Sequence, residues 1–165
     1  MPILPPPAQD RENIVKQYQA ALTSKGDPQR GAALFARLCL ACHSLQGLGY
    51  RVGPDLAGIG VRPPEALLVD ILDPSRQVAP DSAAYEFELE NGETVTGLFA
   101  SETTTRITVR RPGGPDDNLL RARVRSVKPS GRSLMPDGLE AELSREGMND
   151  LLSFLRQPEA VELPR

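Results

Sequence analysis

Apolar residues return along this chain in two different rhythms. Between residues 10 and 23, Ile14, Val15, Tyr18 and Leu22 recur at helical spacing and predict a short helix ended by Gly26. Asp27-Pro28 is a strong start signal, an N-cap aspartate with proline in the first turn. The helix it opens is predicted over 28–43, with Leu34, Phe35 and Leu38 on its apolar side. Gly31 inside that helix costs roughly 1 kcal/mol against alanine. It suggests a close crossing by another helix, a tolerated surface glycine being the alternative. Residues 44–61 hold five glycines and one proline and predict a loop with little regular structure. Pro63 and Pro64 open a further helix that buries Leu67, Leu68, Ile71 and Leu72 and stops at Asp73-Pro74.

Near residue 84 the period shortens to two. Alternation and β-forming residues predict strands near 84–90, 93–100, 105–110 and 118–127, with Asn91-Gly92 as a hairpin turn. Four such strands would make a small sheet or a partial barrel. The helical period then returns: Ser144 is the expected N-cap, Met148, Leu151, Leu152 and Leu155 share one face, and Pro158 ends the helix. The expected class is therefore α+β. A mostly helical domain over 27–158 carries a β-rich insertion at about 84–128. Residues 1–26 form an N-terminal linker and short helix, and 159–165 a tail.

Composition narrows the options. A net charge of −3 gives no case for binding nucleic acid. No apolar run reaches the ~20 residues of a membrane span. The opening, rich in proline, lacks a basic segment followed by an apolar stretch. It reads as a linker, so the chain is expected to be a piece of a longer protein or to have lost a signal. Aromatics make up only 4%, so the core is short of large side chains and has room for a non-protein group.

Residues 39–43, CLACH, hold the only two cysteines and the only histidine. A structural zinc site needs four protein ligands, and the chain has three cysteine or histidine residues. A reactive dithiol belongs at a helix N-terminus, whereas Cys39 follows about three turns of predicted helix. Covalent haem fits better: residues i and i+3 share a helical face, so Cys39 and Cys42 would both reach the two vinyl groups, with His43 next to them for the iron.

The order of further motifs carries a resemblance. A helix with Gly31 and Phe35, then CLACH, then Gly53-Pro54-Asp55-Leu56, then Met135-Pro136 ahead of a last helix resembles the class I cytochromes c. The stretches GPDLAGIGVRPPEALLVDILDPS, YEFELENGETVTGLFASETTTRITVRR and SLMPDGLEAELSREGMNDLLSFL are similar to one subfamily, a haem-binding domain common in planctomycetes and Verrucomicrobia. The resemblance covers about 27–157. It implies a cytochrome c fold in which Gly31 and Phe35 sit at the crossing with the last helix. One haem c would be attached through Cys39 and Cys42, with the iron held by His43 and Met135. The Pro54 carbonyl would accept a hydrogen bond from His43 Nδ1–H and so fix the ring.

Methionine is the usual second ligand where no second histidine exists. Met1 is terminal, and Met148, among leucines, reads as core. Tyr50, Arg51 and Arg62 are candidate partners of the haem carboxylates.

The expected function is single-electron transfer rather than catalysis. The expected partners are redox proteins, a fused or neighbouring dehydrogenase domain among them, and the location is periplasmic or otherwise extracytoplasmic. An enzyme or gas sensor with a labile Met135 is one alternative. The other is an interaction module built on the insertion. Residues 101–132 carry eight basic and three acidic side chains, and this surplus is expected to steer an acidic partner unless it is only a solvated sheet face.

Overall fold

The computed structural model describes residues 8–165; Met1 lies outside them. Four helices, α1 (Ala8–Tyr18), α2 (Pro28–Leu38), α3 (Pro64–Leu72) and α4 (Arg145–Arg156), share one hydrophobic core. Asp27 caps α2 by accepting hydrogen bonds from the N–H groups of Gln29 and Arg30. Ser144 caps α4 through Gly147 N–H at 3.0 Å.

The principal helix contact is α2 against α4. Gly31 lies directly on the backbone carbonyl of Asp150, with Phe154 beside it, leaving no room for a Cβ. Phe35 and Phe154, both fully buried, meet one turn along with ring centroids 5.5 Å apart. The buried Asp150 carboxylate accepts from Asp27 N–H at 2.7 Å and from Arg30 Nε at 2.7 Å, tying the two helices together at the mouth of the crossing. Met148 is fully buried in the same core, among Leu151, Leu152 and Leu155. Helix α1 adds Val15 to this core. The C-terminal segment adds Leu163, whose N–H is held by Gln46 Oε1 at 2.9 Å.

The insertion has five strands rather than four: β3 (Ala83–Leu89), β4 (Thr94–Glu102), β5 (Arg106–Arg110), β6 (Asp117–Leu120) and β7 (Val124–Ser133). The stretch predicted as one strand near 118–127 is broken by a 3-10 turn at Arg121–Arg123, where Val124 N–H returns to Arg121 carbonyl. All pairings are antiparallel, in the order β6-β5-β4-β3-β7, so the sheet keeps two edges and is not a closed barrel. It has its own small core of Phe87, Ile107, Val109 and Val124.

The predicted loop at 44–61 also contains more order than expected. Strands β1 (Ser44–Leu45) and β2 (Leu48–Gly49) form a minimal hairpin whose turn residues, Gln46 and Gly47, both have positive φ. That is the geometry that two-residue hairpins favour.

Candidate functional site

Helix α2 stops at Leu38, earlier than the sequence suggests. Cys39 is its C-cap, and CLACH lies on the turn that follows. The turn keeps a helical closure, with His43 N–H donating to Cys39 carbonyl at 2.9 Å and Cys42 N–H to the same oxygen at 3.1 Å. The returning chain then seals it. Cys42 carbonyl accepts from Val52 N–H at 2.9 Å and from Gly53 N–H at 2.6 Å.

Those two bonds press Gly53 against the face of the imidazole. A Cβ at Gly53 would sit 2.5 Å from His43 Cε1 and 2.8 Å from Nδ1, so only glycine fits. Pro54 follows, and its carbonyl oxygen lies 2.8 Å from His43 Nδ1. A carbonyl only accepts, so Nδ1 carries the proton and Nε2 keeps its lone pair. The imidazole is thereby held in the tautomer that leaves Nε2 available to a metal.

Both cysteines and His43 line a cavity of about 650 Å³, within the usual size range of cofactor sites. Its walls are largely apolar, with Phe35, Leu67, Ile71 and Leu151 among them, and Met135 is part of the lining. Burial pushes the Cys39 thiol up to about 12, with Cys42 adding to the effect, and burial raises Cys42 as well. Thiols held protonated in this way lack the thiolate that a dithiol redox site needs. Among the described residues no group of three or more His, Cys, Asp or Glu side chains gathers to hold a metal ion.

The polar residues named from the sequence separate here. Arg62 lines the cavity but is paired with Asp70, Nη2 donating to Oδ1 at 2.9 Å and Nε to Oδ2. Tyr50 and Arg51 are exposed and are not part of the lining. Met148 is not part of it either. Sequence reasoning missed Arg76 and Gln77, which line the cavity from the segment between α3 and β3. It also missed Leu98, Ser82 and Ser133, which bring the sheet to the cavity wall. No local signal marks these, because their place depends on how the sheet docks.

Residues 28–94 match the cytochrome c family model. The match covers the α2 helix, the cysteine turn, α3 and the first strand of the sheet, and it ends before Met135. A protein of Synechocystis sp. described as cytochrome c-553-like is 40% identical over 50 residues, which is 30% of this chain and 47% of that protein. The aligned stretch thus spans about half the length of that relative. The two similarities support a c-type cytochrome domain in this chain. Among the described residues no helix is long and apolar enough to cross a membrane.

Proposed function

We propose that this chain is a monohaem c-type cytochrome domain of class I that carries single electrons. The observation that carries the reading is one cavity lined by Cys39, Cys42, His43 and Met135 together. The group fits the residues present. The lining is apolar, the histidine is locked with Nε2 free, and two thiols lie beside it. Cys39 and Cys42 would hold the haem through thioethers, His43 through Nε2 and Met135 through its sulfur. The haem, when bound, supplies the iron whose one-electron change is the redox chemistry.

The protein's part is to bind and to tune. Pro54 carbonyl fixes the His43 ring and its tautomer. Leu67, Ile71 and Leu151 keep the surroundings apolar, which penalises the more highly charged state. Arg76 is the cavity arginine without an acidic partner among the described residues, Arg62 being held by Asp70. Arg76 is therefore the cation we assign to the haem carboxylates. Were His43 and Met135 both to hold the iron, no position would remain for a substrate, which favours a carrier over an enzyme. Redox proteins are the partners, a dehydrogenase domain among them, and haem attachment places the chain outside the bacterial cytoplasm.

Replacing methionines one at a time tests the ligand set. In the haem-loaded protein, Met135→Ala should abolish the ferric sulfur-to-iron charge-transfer band and admit carbon monoxide to the reduced iron. Met148→Ala should keep the band and cost about 2–5 kcal/mol of stability, as truncation of a buried methionine does. The reverse pattern would move the ligand to Met148. A band that survives both changes would remove methionine ligation altogether.

A further inference from the structure

The sheet ends two residues before Met135, and its last residue is bonded on three sides. Ser133 pairs with Ala83 across the ladder, its N–H donates to Ser75 Oγ at 3.2 Å, and its own Oγ accepts from Met135 N–H at 3.1 Å. Next to it, Leu134 N–H donates to Ser82 carbonyl at 3.3 Å. Arg132 and Asp137 form an ion pair on either side of the methionine, with Asp137 nearly buried. Gly131 and Gly138, both at positive φ, turn the chain into and out of this segment. On another side of the cavity, the loop between β5 and β6 donates Gly113 N–H to Ala41 carbonyl at 2.8 Å, inside the cysteine turn. The insertion therefore holds both the attachment turn and the methionine segment.

A methionine side chain is unbranched and flexible, so a fixed sulfur position has to come from a fixed backbone. The loop carrying Met135 has no regular structure of its own, and its fixed points are those just named. We propose that Ser133 is the positioning residue for Met135, and that the inserted sheet serves to hold the distal ligand through it. This rests on the reading of Met135 as the iron ligand. The hydroxyl of Ser133 fixes the first backbone atom of Met135, and Ser75 fixes Ser133 in turn. Looser backbone at Met135 means a sulfur that leaves the iron more often.

The test uses the full haem-loaded chain and follows two signals, the ferric sulfur-to-iron band and the rate at which carbon monoxide reaches the reduced iron. Ser133→Ala should weaken the band and speed carbon monoxide binding about tenfold, the factor that one ordinary hydrogen bond allows. Ser133→Thr keeps the hydroxyl and should restore both signals. Ser126→Ala removes a hydroxyl that bonds Glu88 at 3.0 Å within the same sheet, and it should behave as the unchanged protein. If Ser133→Ala fails to fold, Ser75→Ala should show a smaller change in the same direction. Unchanged signals in both Ser133→Ala and Ser75→Ala would overturn the inference, as would an equal effect from Ser126→Ala. Met135→Ala separates the two levels. If its band survives, the ligand reading fails and the inference with it. If its band is lost while Ser133→Ala is silent, only the positioning role falls.

Discussion

At His43 one ring is constrained from two directions. Pro54 carbonyl holds Nδ1 in its plane and Gly53 lies against its face, so neither tilt nor tautomer is free. The same contact leaves Gly53 no room for a side chain. Gly53→Ala would place a methyl carbon 2.5 Å from His43 Cε1, and the ring must move or the loop must open. We expect haem to remain attached through the cysteines while the iron–histidine bond weakens. The measurable consequence is a ferric spectrum shifted toward high spin and a changed reduction potential. A spectrum and potential like those of the unchanged protein would show that the loop gives way without disturbing the ring.

Among the helices, the decisive contact is the crossing of α2 and α4. It is close because Gly31 has no side chain, and the buried Asp150 is satisfied there by Asp27 and Arg30. Gly31→Ala improves helix propensity by roughly 1 kcal/mol in isolation. At this crossing it meets a backbone carbonyl, and overpacking of this kind costs about 1–3 kcal/mol. Chemical denaturation of the haem-loaded protein should therefore show a net loss of stability, and a gain would mean that the helices separate easily.

The elements most readable from the sequence were those with strong punctuation. The Asp27 cap, the Asn91-Gly92 turn and the stop after Leu72 declare themselves locally, and the glycine at the crossing stood out because it costs helix propensity. Less legible were features fixed by distant partners. The cysteine turn is sealed by Val52 and Gly53, whose N–H groups take the Cys42 carbonyl from ten and eleven residues further along the chain. The cavity contributions of Leu98 and Ser133 depend on the docking of the sheet and leave no mark in local spacing.

Charge across the molecule is more balanced than the basic run at 101–132 suggests. Arg110, Arg111 and Arg121 pair with Asp116, Asp117 and Glu102, and Arg125 and Arg132 reach Glu88 and Asp137. These pairs leave Arg106, Arg123 and Lys128 as the bases of this run without an acidic partner among the described residues. Exposed pairs add little stability, but they reduce the field that the run presents to a partner, so a smaller basic surface remains for steering. The larger unity of the fold is elsewhere. Helices, cysteine turn, sheet and the segment around Met135 all contribute side chains to one cavity, and covalent haem is the occupant we propose for it. Intact mass under denaturing conditions, after expression with the haem-attachment machinery, tests this most directly. The full chain should carry the added mass of one haem, and replacing Cys39 and Cys42 together by alanine should return it to the bare polypeptide. A chain of bare mass after such expression, or a haem adduct that persists without both cysteines, would contradict the account.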